Sequence, residues 1–338
     1  MSRGCVVAEL NTRILMKRHP QGMVTEDDFE TVQQPLPVLE SGQALVRNKF
    51  LSLDPYMRPR MDPLRSYVEP LKPGELMPGA TVGEVVDSRA EQFPKGALVA
   101  AMLGWQTYGV VTPGAVRVLD AKMARPSAAL GVLGMTGVTA HYGLLALAKP
   151  KAGETVVVTA ASGAVGGVAG QIAKLKGCRV IGIAGGPEKC RYVVDELGFD
   201  VCLDYRAPDF EQQLERATPN YVDVLFENVG GPVLDAVLQR IADHARIALC
   251  GNISQYNEKV PYGIKGLRQL LMHRVSVYGF VIADHRDYWP VALADLSQWL
   301  QEGKLKFKED LSVGLASAPA AFRRMLTGKN FGKQIVGI

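Results

Sequence analysis

The chain has 338 residues, 47% of them hydrophobic, which is enough for a large core and for two domains or one domain with an inserted part. Thirty-eight Lys and Arg against 34 Asp and Glu leave a net charge of +4 with no long basic run, which excludes an extended nucleic-acid surface. The five cysteines, Cys5, Cys178, Cys190, Cys202 and Cys250, are dispersed with no C-x-x-C pair, as in a chain kept in a reducing cytoplasm.

The apolar run after Met1-Ser2-Arg3-Gly4-Cys5 is too short for a signal peptide. Residues 4 to about 125 lack long helical periodicity. Short apolar runs, Ala44–Val46, Val82–Val86, Leu98–Leu103, Val110-Val111 and Val116–Leu119, are punctuated by Pro, Gly and Asp, which predicts an antiparallel β domain. Pro126–Ala148 carries no Asp, Glu, Lys or Arg and passes the crude length test for a membrane helix. It also holds four glycines, a His, a Ser and two threonines, and it leads straight into the next strand. It therefore reads as a buried crossing between domains, helical over Ser127–Leu147, with Gly131, Gly134 and Gly137 as points of close approach.

Thr155–Ala160 is a β-branched run suited to a buried parallel strand. Ala161-Ser162-Gly163-Ala164-Val165-Gly166 follows at once, a G-x-G-x-x-G spacing with Ala161 in the first place. Gly163 allows backbone to approach a pyrophosphate, and Gly166 allows the next helix to pack on the strand. Val165, Val168, Ala169, Ile172 and Ala173 recur at helical spacing, so the turn opens a helix whose start favours phosphate. At the end of the next strand, Arg179–Ala184, an NAD site usually carries an acid for the ribose 2′-hydroxyl. No acid occurs between Gly177 and Pro187; Gly185, Gly186, Lys189 and Arg191 follow, with Tyr205-Arg206 after the third strand. A cation beside small residues admits a 2′-phosphate that a carboxylate would repel, which selects NADPH over NADH. The bland alternative is that Lys189 and Arg191 only solvate a helix face.

Val222–Phe226, Ile247–Cys250 and Val275–Gly279 complete six strands, with helical stretches at Val233–Ile241 and Gly263–Met272 between them. The fold class is α/β, a doubly wound parallel six-stranded sheet joined to a mainly antiparallel β domain. Tyr288–Leu300 and Ser317–Leu326 read as helices and Lys333–Val336 as a last strand. This tail is too short to fold alone and is expected to dock back on the first domain, closing a cleft. The expected division is 1–126 with 305–338 for the β domain, and 127–304 for the nucleotide-binding domain.

A β domain, a nucleotide fold carrying Ala160-Ala161-Ser162-Gly163-Ala164-Val165-Gly166, and a short return resemble the medium-chain dehydrogenase/reductase superfamily. Leu53-Asp54-Pro55-Tyr56-Met57-Arg58, Pro78-Gly79-Ala80, Gly134-Met135-Thr136-Gly137, Glu227-Asn228-Val229-Gly230-Gly231 and Ile253-Ser254-Gln255-Tyr256-Asn257 resemble its prostaglandin reductase branch. The same motifs resemble those of the bacterial NADPH-dependent curcumin and enone reductases. The resemblance implies a GroES-like first domain and zinc-independent reduction of conjugated carbon–carbon double bonds. It also implies that Gly163, Ala164, Val165 and Gly166 bind pyrophosphate, that Lys189 and Tyr205 flank the 2′-phosphate, and that Asn228 lies near the ribose. Cys250, Gly251, Asn252, Ile253, Ser254 and Tyr256 are implied to line the nicotinamide half, with Phe280, Val281, Ile282 and Asn330 closing over it. Asn252 stands where relatives usually carry an apolar residue, and His141-Tyr142 replaces a more apolar aromatic pair.

The residues bear on the chemistry directly. Zinc-dependent members need Cys, His and acid ligands from the first domain. That domain holds only Cys5 and His19, and Ala80-Thr81 stands where those enzymes place a His-Glu pair. No Y-x-x-x-K occurs in the second half, so a tyrosine–lysine proton relay is also missing. Reduction of an enone asks only for a hydroxyl that stabilises the enolate oxygen. Tyr256, after the fifth strand at the carboxyl end of the sheet, is the first candidate, with a cofactor ribose hydroxyl as the second donor. Tyr56, presented by the Asp54-Pro55 turn, is the other candidate. Each tyrosine could instead only pack, Tyr256 on the nicotinamide ribose and Tyr56 as a pocket wall. Met135, Trp105 and Tyr262 are either apolar walls or plain core. A quinone reductase and a non-catalytic NADPH-binding protein are the rival functions. The resemblance further implies a homodimer, with Ser276–Val281 as an edge strand that pairs across a two-fold axis.

Overall fold

The computed structural model describes residues 9–114 and 116–338, so Cys5 lies outside the described residues. The chain divides into two units: one of residues up to Leu130 with Leu311–Thr327 and Gln334–Ile338, the other of Gly131–Asp310 with Gly328–Lys333. The divisions fall a few residues beyond the expected 126/127 and 304/305, and the six residues 328–333 go with the second unit.

In the first unit, β1 (Leu10–Met16) and β2 (Phe29–Pro35) form an antiparallel ribbon. These strands were not among those expected from the sequence: six of the seven residues of β2 are exposed or only half-buried, so no apolar alternation marks it. β3 (Ala44–Ser52), β4 (Thr81–Ser88), β5 (Leu98–Ala101) and β7 (Val116–Val118) lie side by side, and β6 (Tyr108–Val111) pairs with β3. Trp105 has no exposed surface; it stacks on Phe29 at 5.5 Å and meets Phe322 edge-on at 5.6 Å. It is core, not a pocket wall.

The uncharged segment becomes a 3-10 turn at Pro126–Leu130, α1 (Met135–His141) and a π-helix at Tyr142–Ala148, ended by Lys149 at φ +47°. Among the described residues no helix is long and apolar enough to cross a membrane. Then follow β8 (Thr155–Thr159), α2 (Gly166–Leu175), β9 (Arg179–Ala184), α3 (Pro187–Asp195), β10 (Val201–Asp204) and α4 (Phe210–Ala217). The second half is β11 (Val222–Glu227), α5 (Gly231–Leu238), β12 (Ile241–Leu249), α6 (Leu267–Met272), β13 (Ser276–Gly279) and α7 (Trp289–Gln301). The six strands are parallel, in the order β10-β9-β8-β11-β12-β13. The strand order reverses between β8 and β11, and ligands of such sheets bind at the carboxyl ends of the strands there. All five residues of β8 are buried, as a central parallel strand requires.

Two expected helices are shorter than the apolar pattern suggested. The stretch Val233–Ile241 ends as helix at Leu238, because Ile241 already opens β12 and only Gln239 and Arg240 separate the two elements. Gly263–Met272 is helical only from Leu267. The N–H groups of Lys265 and Gly266 bind the Asp235 carboxylate, and that of Tyr262 binds Gln255 Oε1, so this backbone is engaged at long range. Tyr262 itself donates to Asp235 Oδ2 at 2.8 Å and ties this segment to α5 instead of lining a pocket.

The chain ends with β14 (Glu309–Val313), α8 (Ala318–Leu326) and β15 (Lys333–Gly337), which aligns Ile335 with Ser52 of β3. β14 was not expected either, its sequence being half polar and its residues half-buried or exposed.

Candidate active site

β8 hands the chain to α2 through residues 160–165, and the turn is set by contacts only glycine allows. A Cβ on Gly166 would sit 2.5 Å from the Ala160 carbonyl oxygen. The Gly163 N–H donates to that oxygen at 2.9 Å, and Gly163 forms a parallel bridge with Gly332. Ala164 and Val165 are half-buried and Val165 caps α2, whose first N–H groups have no partner within the helix. Asn330 Nδ2 donates to the Gly332 carbonyl at 2.9 Å, so Asn330 is joined to the glycine turn through the 328–333 return. Tyr192 and Phe331 hold the same return edge to face at 5.0 Å.

β9 ends in Gly185-Gly186. A Cβ on Gly185 would lie 2.9 Å from the Tyr205 ring and 3.2 Å from the Arg206 guanidinium carbon, so these residues surround that turn. Tyr205 is exposed, with Arg206 stacked 5.5 Å over its ring. Asp204 Oδ1 accepts from the Gly186 and Arg206 N–H groups at 2.9 and 3.0 Å, which fixes β10 to the turn. Lys189 Nζ donates to the Gly328 carbonyl at 2.7 Å. Burial, and next the positive charge of Arg206, hold the Lys189 pKa below its usual value. Arg191, by contrast, is exposed on α3. Arg206, the sequence neighbour of Tyr205, is the second cation of this corner.

Across the reversal point, Asn228 Nδ2 donates to the Thr159 carbonyl and its N–H to Thr159 Oγ1, both at 2.8 Å. The preceding Glu227 closes β11 and has no exposed surface. Its Oε1 accepts from the N–H groups of Val229 and Gly230 at 2.5 and 2.6 Å, while Oε2 is buried with no hydrogen-bond partner. Burial pushes its pKa up to about 7. The sequence signal for such a site is an acid that ends a strand otherwise rich in Val, Leu and Phe.

The segment 250–256 hangs on this turn. The N–H groups of Cys250 and Gly251 donate to the Glu227 carbonyl, that of Ile253 to Asn228 and that of Ser254 to Val229. Asn252 is exposed, and its N–H donates to the Tyr256 hydroxyl at 3.3 Å. Burial raises the Tyr256 pKa, against the Asn252 hydrogen bond and with Cys250 adding to the rise, and burial also pushes the Cys250 thiol up to about 12. Phe280 and Val281 are half-buried and Ile282 is buried. Phe280 packs on Tyr142 at 5.6 Å, and Tyr142 stacks on His285 at 4.3 Å. His141 is buried between the Tyr288 hydroxyl at 2.9 Å and Asp295 Oδ2 at 3.0 Å, which accounts for a polar pair at 141–142. Met135 is half-buried at the start of α1.

Tyr56 belongs to the first unit, in a 3-10 turn led by Asp54. It packs against the Trp105 core, and burial, followed by the Asp54 charge, raises its pKa. Asp54 in turn accepts from the Ser52 hydroxyl. Among the described residues no three His, Cys, Asp or Glu side chains are grouped as a metal ion requires.

A doubly wound sheet with a glycine turn, carried in one chain with an antiparallel β unit, defines a two-unit dehydrogenase/reductase. Comparison with known proteins sharpens this. A family described as the N-terminal domain of oxidoreductase matches residues 12–119, and one described as zinc-binding dehydrogenase matches residues 164–298. The chain is 43% identical over 334 residues to the NADPH-dependent curcumin reductase of Escherichia coli (strain K12), covering 97% of each chain. It is 40% identical over 327 residues to prostaglandin reductase 1 of Rattus norvegicus, covering 95% of this chain and 97% of that one. The crystal structure of CurA in complex with NADPH from Vibrio vulnificus superposes with a TM-score of 0.93 at 46% identity, over 96% of this chain and 98% of that one. The chain belongs to the zinc-independent medium-chain dehydrogenase/reductase family.

Proposed function

We propose that this protein reduces the carbon–carbon double bond of α,β-unsaturated ketones and aldehydes at the expense of NADPH. The observation that carries this reading is the Tyr256 hydroxyl, which accepts the Asn252 N–H and so keeps its own proton free to donate. Relatives named for curcumin and prostaglandin reduction support the substrate class.

The residues fit the dinucleotide. Gly166 leaves no room for a Cβ, so α2 packs directly on the end of β8, and Gly163, Ala164, Val165 and Gly166 present the start of α2 to the pyrophosphate. Lys189 and Tyr205, with Arg206, hold the 2′-phosphate; no carboxylate ends β9 to repel it. Asn228 faces the ribose, and Cys250, Gly251, Asn252, Ile253 and Ser254, with Phe280, Val281 and Ile282, border the nicotinamide. Asn330 secures the return that meets Gly163. NADPH, when bound, supplies the hydride that adds to the substrate's β-carbon. Negative charge then gathers on the carbonyl oxygen, the Tyr256 O–H donates a hydrogen bond to it, and a proton taken up from water at the α-carbon completes the saturated ketone. The raised pKa of Tyr256 keeps the phenol proton in place across the working range. One donor of this kind contributes roughly 3–4 kcal/mol to the transition state. Tyr56 is the second candidate donor.

β13 is the edge of its sheet and all four of its residues are exposed, as are Leu267, Leu271 and Met272 of α6. An apolar edge of this kind supports a homodimer in which β13 pairs with its copy. Among the described residues four free thiols, at Cys178, Cys190, Cys202 and Cys250, support a reducing, cytoplasmic setting.

The test is product analysis with purified protein, NADPH and trans-4-phenyl-3-buten-2-one. NADPH and enone are expected to disappear at matched rates, leaving the saturated ketone. Accumulation of the allylic alcohol alone, or turnover only with an added quinone, overturns the reading.

A further inference from the structure

We propose that Glu227 is a positioning residue for the reaction: it holds, in its neutral form, the turn from which the Tyr256 segment hangs. This rests on the function proposed above. The geometry runs through one continuous set of bonds. Glu227 Oε1 gathers the N–H groups of Val229 and Gly230, so the three carbonyls of residues 227–229 turn toward the neighbouring segment. Those carbonyls take the N–H groups of Cys250, Gly251, Ile253 and Ser254. From there the Asn252 N–H reaches the Tyr256 hydroxyl. Four residues of the 250–254 segment are thus fixed by a turn whose own shape depends on one carboxyl oxygen.

The other oxygen explains the neutral form. Oε2 is sealed from solvent and has no hydrogen-bond partner among the described residues. An ionised carboxylate with one oxygen bare in a dry interior is strongly disfavoured, whereas a proton on Oε2 removes the charge and leaves Oε1 to accept. The groups that face Glu227 are few. From the residue after β12 comes the Cys250 thiol, itself kept protonated by burial, and beyond it the Tyr256 phenol. From β8 comes the Thr159 hydroxyl, which with the N–H groups of Gly230, Val229 and Asn228 favours the charged form, against the larger opposing effect of burial. No cation stands among them to stabilise a carboxylate. Neutrality also suits the chemistry. A negative charge behind the segment that borders the nicotinamide would oppose the charge growing on the substrate oxygen.

The experiment compares wild-type protein, Glu227→Gln and Glu227→Ala. Glutamine keeps an accepting oxygen for Val229 and Gly230 and cannot ionise; alanine removes both. Two readouts are taken: kcat and KM for trans-4-phenyl-3-buten-2-one between about pH 5.5 and 9, and hydrogen–deuterium exchange of peptides spanning 250–256 in the presence of NADPH. In wild type kcat is expected to fall as pH rises past neutrality. Glu227→Gln is expected to stay within about threefold of wild type at low pH and to lose that fall. Glu227→Ala is expected to lower kcat by roughly tenfold or more and to speed exchange in the 250–256 peptides. An alkaline fall in Glu227→Gln identical to wild type, or unchanged exchange in Glu227→Ala, overturns the proposal. If Glu227→Ala does not fold, the pH profile and exchange of Glu227→Gln decide alone. Should wild-type protein bind NADPH and reduce no enone, the proposed function fails, while the exchange contrast still decides what Glu227 does.

Discussion

The backbone N–H of Asn252 donates to the hydroxyl oxygen of Tyr256 across 3.3 Å, four residues apart in one segment. This bond occupies an acceptor position on the phenol and leaves its proton to point elsewhere. Tyr256→Phe removes the donor and little else. The expected result is a fall in kcat of roughly 10²-fold with NADPH affinity unchanged, measured by steady-state turnover of an enone alongside fluorescence titration of the cofactor. Full activity in the phenylalanine variant strikes Tyr256 from the chemistry.

Lys189 carries two duties that can be separated. It bonds to the Gly328 carbonyl, and it shares with Arg206 the corner proposed for the 2′-phosphate. Lys189→Met is expected to weaken NADPH by roughly 10–100-fold, the worth of a charge-assisted bond, and to leave NADH within about threefold. Equal weakening of both cofactors means that the side chain serves only to hold the return.

Gly230 sits at φ +74°, and a Cβ there collides with Asn252 Oδ1. Gly230→Ala is expected to destabilise the protein by about 1–3 kcal/mol in urea unfolding. Adding Asn252→Ala clears the steric part and is expected to restore some of that loss, leaving the backbone strain. A double variant no more stable than Gly230→Ala alone means that Asn252 is not the obstacle.

Stability against pH follows from Glu227. Its folded pKa lies near 7, above the ordinary 4.5, so between those values the folded protein holds a proton that the unfolded chain has released. The contribution is fully present below about pH 4.5 and is lost as pH rises through 7. Relative to Glu227→Gln, wild type is expected to lose about 3 kcal/mol between acid and pH 8, read from urea unfolding at both ends. Parallel pH curves for the two proteins would show that Glu227 titrates normally.

Much of the nucleotide unit is legible in the sequence because its signals are local. A buried parallel strand is a run of Thr and Val, and the turn after it admits only small residues, so Thr155–Gly166 announces itself. The corner at Gly185-Gly186 is read the same way, from the absence of an acid. What escapes are elements defined by distant partners. β2 is mostly polar and is strand only because β1 lies against it. Residues 263–266 look helical and are not, since Asp235 claims the N–H groups of Lys265 and Gly266 from 30 and 31 positions away, beside a Tyr262 N–H held by Gln255. Trp105 and Tyr262 have the composition of a pocket wall, yet only the ring of Phe29 and the carboxylate of Asp235 reveal their work. Glu227 is visible as a letter in a motif, but nothing in one dimension says that one of its oxygens faces no water and no donor.

The ownership of residues 328–333 decides how this polypeptide can be taken apart. They sit between α8 and β15, in a stretch otherwise assigned to the first unit, yet they pack with the second. A gene fragment encoding 131–310 therefore yields a nucleotide fold with its clasp missing: Gly163 lacks the backbone that Gly332 lends it, and the Lys189 ammonium lacks an oxygen to grip. Neither half is a module that can be cut out, swapped or fused at a single seam, and trimming the last dozen residues injures both at once.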